Sequence, residues 1–265
     1  MLTRPQGRNK TLAARLQAFG LQVIVMPALS IRPLPLPFQP SFAPHNYDVL
    51  IFVSGQAASL YLKRLSEYGV SAWPTSVVAA SVGLSTAQVL RSGGVQDRLL
   101  LYPSDDSGND SEALWALLQA RIGSLRRVLL VRGVNGRNWL AERLEQAGVH
   151  VDRLELYERV PAHVEHAKLE ELAHALTAGG QHQPIVLLTS SESVDAMSQQ
   201  LGSAGLLMPW LDARFLAIHP RIADRLHSVA AAAGMSALPM VKLSSPNDEA
   251  IFQAIIAMAS STERS

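Results

Sequence analysis

Short, continuous apolar runs alternate with stretches of helical period along most of this chain. Residues 49–53 (VLIFV), 77–80 (VVAA), 128–131 (VLLV), 185–188 (IVLL) and 215–218 (FLAI) lack the in-out alternation of a half-exposed strand. Such runs suit strands covered on both faces, as in a parallel sheet. Helical patterns of about ten or more residues separate them, which is the signature of repeated βαβ units. One helix is predicted over 138–147, where Leu140, Leu144 and Ala147 share a face and Gly148 follows the last turn. Leu12, Leu16, Phe19 and Gly20 repeat that arrangement.

Two segments interrupt the alternation. Residues 31–44 (IRPLPLPFQPSFAP) are proline-rich and read as an extended connection, because proline fixes φ and removes a backbone donor. Residues 155–162 (ELYERVPA) occupy the corresponding place later on, so two antiparallel crossings forming a hinge of limited freedom are expected. Residues 1–3 are a short start for a buried strand, so either that strand is clipped or the natural start lies upstream. The polar tail 260–265 is expected to fray.

The same construction occurs twice. Residues 2–27 and 130–157 each carry an arginine after an apolar residue (Arg4, Arg132), then Gly-Arg-Asn (Gly7, Arg8, Asn9; Gly136, Arg137, Asn138), a short amphipathic helix, a glycine and a strand-like run. Residues 48–65 align with 184–201 without a gap, placing Ser54 on Ser190, and the same spacing puts Ala87 on Ala223 and Leu90 on Leu226. Residues 110–114 (DSEAL) resemble 247–251 (NDEAI). The shared order implies two similar lobes, with a ligand expected between them.

Composition narrows the chemistry. With 48% apolar residues the chain can bury real cores, and a net charge of +1 lacks the basic excess of a general nucleic-acid binder. No cysteine is present, which excludes thiolate nucleophiles, disulfides and Cys-ligated metal centres. No apolar stretch approaches the roughly twenty residues that span a bilayer, and no export signal is visible, so a cytoplasmic protein without membrane partners is expected.

Arg4 and Arg132 fall at the carboxyl ends of strands, where α/β folds bind ligands. A guanidinium fork there either holds a carboxylate or phosphate, or ties down loop carbonyls. Arg8 and Arg137 open helices and read as solvated. Ser54-Gly55-Gln56 and Ser190-Ser191-Glu192-Ser193 also follow strands and open helices. Serine is a good N-cap, and the exposed amides of such a turn also suit carboxylates. Tyr157, at the expected end of its strand, either packs between lobes or donates a hydrogen bond or proton into a cleft. His166, Glu170 and His174 share a helical face but read as solvated, and the acidic run 105–112 lacks EF-hand spacing, so no metal is expected. No G-x-S-x-G, G-x-G-x-x-G or P-loop motif occurs.

Together these motifs resemble the uroporphyrinogen-III synthase family. The resemblance is carried by Thr3-Arg4-Pro5, Leu16, Gly20, Pro27, Tyr47-Asp48, Ser54, Val82-Gly83, Thr86-Ala87, Leu90, Leu130, Arg132-Gly133, Gly136-Arg137, Leu140, Tyr157-Glu158-Arg159 and Thr189-Ser190. It implies two three-layer α/β/α lobes with parallel sheets joined by a two-stranded antiparallel linker, the first lobe being discontinuous. On that pattern lobe 1 is residues 1–30 and 163–265, lobe 2 is 37–155, and 31–36 and 156–162 are linkers.

The resemblance also implies a cofactor-free reaction on hydroxymethylbilane, a linear tetrapyrrole bearing eight carboxylates. Loss of the terminal hydroxyl gives an azafulvene. Attack through a substituted position of the last ring gives a spiro intermediate, whose collapse inverts that ring before closure to uroporphyrinogen III. Tyr157 is the candidate to assist hydroxyl departure. Ser54, Gly55, Gly83, Thr86, Arg132, Gly133, Ser190, Ser191 and Arg4 are the candidate substrate contacts. A monomer in transient contact with hydroxymethylbilane synthase is the expected assembly. In one departure, His219-Pro220-Arg221-Ile222-Ala223 stands where many members have Gly-Pro-Thr-Thr-Ala, so a threonine contact there does not carry over. The competing readings are a non-catalytic two-lobed small-anion binder, which predicts an export signal, and a nucleotide-sugar transferase, which predicts a glycine-rich phosphate loop.

Overall fold

The structure, a computed structural model, describes residues 1–35, 39–70, 72–104, 111–177 and 183–261. The chain forms two compact units, Met1–Ile31 with Val160–Ser265, and Arg32–Arg159. Both alternate parallel strands with helices.

The unit Arg32–Arg159 is built on β2 (Val49–Phe52), β3 (Val78–Ser81), β4 (Leu100–Leu101), β5 (Arg127–Gly133) and β6 (His150–Pro161). The sheet runs in the order β6-β5-β2-β3-β4, all parallel, with β1 (Leu29–Pro33) added beside β6. Both sheet faces are covered, as the continuous apolar runs demand. Val49, Ile51, Val128 and Leu130 pack with Leu114 and Leu118 of α4 (Ser111–Gln119) and Leu140 and Leu144 of α5 (Trp139–Gln146). On alternate positions Phe52 meets Tyr61 of α2 (Gly55–Glu67) and Trp73 at ring separations of 5.5 and 6.3 Å. α3 (Leu84–Ser92) follows β3 and buries Ala87 and Leu90. Asp48 Oδ2 accepts backbone N–H bonds from Arg126 (2.7 Å) and Arg127 (2.9 Å), fixing the start of β2 against that of β5. Asp48→Ala should therefore cost about 1–2 kcal/mol in urea unfolding; an unchanged midpoint would show that the two amides are satisfied by water.

In the other unit, β7 (Ile185–Leu188), β8 (Arg214–Ala217) and β9 (Val241–Leu243) form a parallel sheet in that order. Leu2 makes parallel bridges to both Leu187 and Val25. The order Val25, Leu2, β7, β8, β9 thus repeats β6, β5, β2, β3, β4, which is the duplication read from the sequence. α1 (Lys10–Ala18) and α10 (Asp248–Ser260) pack Leu12, Leu16, Ile251 and Ile255 with Leu2, Leu187 and Leu216. Val186, Leu188 and Phe215 instead join Val194 of α7 (Ser191–Ser203), Trp210 of α8 (Leu207–Leu211), Leu226 of α9 (Pro220–Ala232) and Leu172 of α6 (His166–Thr177).

Several expectations change. The proline-rich segment is extended through Pro33, but Pro40–Phe42 and Pro44–Asn46 are 3-10 turns with proline in the first turn, where its missing N–H costs nothing, and residues 36–38 lie outside the described residues. Tyr157 lies inside β6, not at its end, because β6 continues to Pro161 beside β1. Ala162 N–H bonds Ala28 O and Leu34 N–H bonds Leu156 O, so the two joining segments run antiparallel. Residues 105–110 of the acidic run and 262–265 of the tail lie outside the described residues, while Glu112 stands in the first turn of α4. His166 pairs with Glu170 (3.3 Å) on an exposed face, and among the described residues no group of three or more metal-type side chains converges.

Candidate functional site

The repeated serines take the same local form. Ser54 and Ser190 are extended (φ −162° and −158°) and cap α2 and α7, each hydroxyl accepting the N–H three residues on, from Ala57 and Ser193 at 3.1 Å. Their second contacts differ. Ser190 Oγ lies 2.7 Å from Ser193 Oγ, which also accepts the Ser190 N–H at 3.1 Å and so closes a capping box. Ser54 Oγ lies 3.0 Å from the Tyr157 hydroxyl.

Tyr157 reaches Ser54 through an irregularity in β6. β5 and β6 are in register from Arg127↔His150 to Arg132↔Glu155, after which Gly133 faces Tyr157 and Leu156 is left over. A bulge of this kind reverses the alternation of side chains beyond it. Tyr157 is consequently only 3% exposed, and Val134 N–H bonds its carbonyl at 2.9 Å. Val53, Gly133, Val134, Asn135, Gly136, Arg159 and Tyr157 line a small hollow of about 60 Å³.

Arg132 takes the loop-tying role of the two left open by the sequence. Only 3% exposed, it donates from Nε to Gly133 O (3.0 Å), from Nη1 to Asn138 Oδ1 (2.6 Å), and from Nη2 to Val134 O (3.2 Å) and Gly136 O. Glu155 stands 3.7 Å from Nε. A guanidinium spread over four loop oxygens staples the loop. Arg4 differs from its repeat partner. It is 7% exposed and gives Nη1 to Asp248 Oδ1 at 2.7 Å, while Asn9 Nδ2 holds the Arg4 carbonyl at 2.8 Å. The repeated asparagines, Asn9 and Asn138, thus secure each arginine loop. Their recurrence in Gly-Arg-Asn was the signal for that role, which sequence reasoning passed over, as it did Asp248.

The remaining candidates are distributed. Gly55 is the first residue of α2, Gly83 caps α3, and Thr86 is buried in the first turn of α3 with its N–H on Gly83 O. Ser191 opens α7 and reaches Arg221 O at 3.4 Å. Arg221 itself is exposed, and its N–H bonds Nδ1 of His219, which caps α9. Arg8 and Arg137 are exposed. The structure therefore brings Tyr157, Ser54, Gly133 and Arg132 together within one unit.

A family model described as uroporphyrinogen-III synthase HemD matches residues 10–236. The chain belongs to the uroporphyrinogen-III synthase family. It is an enzyme of that family, a cyclising lyase of tetrapyrrole biosynthesis, and the non-catalytic binder is not favoured. It is 27% identical over 232 residues to uroporphyrinogen-III synthase of Escherichia coli K12, covering 84% of this chain and 88% of that one. It is 30% identical over 166 residues to the Proteus mirabilis enzyme, covering 60% and 79%. Two crystal structures share the fold. A mutant uroporphyrinogen III synthase of Thermus thermophilus has TM-score 0.55 at 14% identity and covers 98% of this chain and 99% of its own. The Helicobacter pylori synthetase has TM-score 0.52 at 15% identity and covers 90% and 96%. Among the described residues, no helix is long and apolar enough to cross a membrane.

Proposed function

We propose that this member of the uroporphyrinogen-III synthase family converts hydroxymethylbilane to uroporphyrinogen III with Tyr157 assisting departure of the terminal hydroxyl. The contact that carries this reading is the 3.0 Å approach of the buried Tyr157 hydroxyl to Ser54 Oγ. Ser54 Oγ already accepts the Ala57 N–H and retains its own proton to donate. Donated to Tyr157, that proton leaves the phenol O–H free to point at a leaving hydroxyl and steadies the phenolate oxygen as its proton moves. The C–O bond breaks, the hydroxyl leaves as water with that proton, and the pyrrole nitrogen supplies the electron pair that forms an azafulvenium cation, whose N–H proton returns to the phenolate to give the azafulvene.

The later steps are carbon–carbon chemistry. Folding the substrate so that the substituted carbon of the last ring attacks is catalysis by orientation, which needs no strong acid–base pair. Ser54, Gly55, Gly83 and Thr86 stand at or just beyond the carboxyl ends of β2 and β3, where α/β sheets take ligands. In the other unit Ser190, Ser191 and Arg4 occupy the matching strand ends, which suit carboxylate contacts in the same way. Arg221 offers a charge where family members carry threonine. A cytoplasmic monomer receiving substrate by transient contact with hydroxymethylbilane synthase suits a linear substrate that also closes spontaneously.

Given freshly generated hydroxymethylbilane, the protein should form predominantly the type III isomer, separated from type I by chromatography of the oxidised products. Only the type I isomer, the spontaneous product, at every enzyme concentration would overturn the function.

A further inference from the structure

We infer that Gly133 is a positioning residue, whose missing side chain sets where the Tyr157 hydroxyl sits; this rests on the catalytic reading of Tyr157. A β-carbon built on Gly133 would lie 2.8 Å from both Cε2 and Cζ of the Tyr157 ring. Real β-carbons do not approach carbon so closely, so one partner would have to yield. Gly133 has no positive φ, unlike Gly7, Gly20 or Gly148, so its backbone conformation is open to any residue. Space for the ring is what glycine supplies here.

The backbone on either side cannot give way easily. Val134 N–H holds the Tyr157 carbonyl at 2.9 Å, which locks β6 to the loop beside the glycine. Arg132 clamps the carbonyls of Gly133, Val134 and Gly136 through its buried guanidinium. Leu156, the extra residue of the bulge, is fixed from the other side by Leu34 N–H on its carbonyl at 2.9 Å. With both chains held, an added methyl displaces the ring. Because Cζ carries the hydroxyl, the displacement moves the oxygen off Ser54 Oγ. Gly133 thus acts through Tyr157 and not on substrate directly.

The test compares Gly133→Ala, Tyr157→Phe and the double variant for kcat, KM and the crystallographic Tyr157 position. Gly133→Ala should lose about 10²-fold in kcat, as Tyr157→Phe should, with KM within about twofold. The double variant should be no slower than Tyr157→Phe alone, because the glycine then has no hydroxyl to place. In Gly133→Ala the Tyr157 oxygen should stand beyond hydrogen-bond reach of Ser54. Multiplied losses in the double variant, or a raised KM with kcat intact, would overturn the inference. A silent Tyr157→Phe would sink the role given to Tyr157, whereas a ring still seated on Ser54 in Gly133→Ala would sink its positioning by Gly133. Should Gly133→Ala fail to fold, the same change in a Tyr157→Leu background decides. There its Tm should stay within about 2 °C of Tyr157→Leu alone; a repeated collapse without the ring would overturn the steric argument.

Discussion

Tyr157→Phe should lower kcat by about 10²-fold while leaving KM nearly unchanged. General acid assistance contributes typically 10²–10⁴-fold, and the lower end applies because orientation of the bilane carries the rest of the rate. A loss confined to kcat marks an interaction made in the transition state. The substitution removes one hydrogen bond, to Ser54 at 3.0 Å, and keeps the ring that packs on Gly133, so stability should fall by only about 1 kcal/mol. Residual product should remain predominantly type III if orientation is separate from proton transfer. Kinetics identical to the parent protein would return Tyr157 to a packing role.

Arg132→Met should act on stability first. The arginine supplies donors to three loop carbonyls and to Asn138 Oδ1 while 3% exposed, so methionine fills the volume but leaves those oxygens without partners. Stranded buried acceptors cost about 1–3 kcal/mol each, and partial rescue by water brings the total to about 3–5 kcal/mol, a Tm lower by roughly 10 °C or more. Arg132→Lys should not restore it, since one ammonium cannot reproduce a planar fork aimed at several oxygens. A direct carboxylate clamp predicts the opposite pattern, with Tm intact and KM raised. Thermal melts beside steady-state kinetics separate the two.

Much of the scaffold is legible in the sequence. The apolar runs of β2, β3, β5, β7 and β8 and the helix after Arg132 fall where pattern places them, because a strand buried on both faces has no alternative composition. The two serine caps follow equally well from local chemistry. The site was harder to read. Tyr157 and Ser54 are separated by 103 residues, and their meeting depends on β5 lying between β2 and β6 in the sheet. Arg132 offered two roles because a guanidinium after a strand has the same sequence signature whether its partners are loop carbonyls or a ligand.

By itself the sequence determined the alternation of strands and helices, the doubled plan, and the family, since periodicity and repeated motifs are local properties that survive divergence. Tertiary structure decided what each copy does. One extra residue in the strand, Leu156, turns Tyr157 to Ser54, whereas Ser190 turns to Ser193. Register shifts and the filling of space around a glycine arise only when distant strands are laid side by side, and no local pattern encodes them.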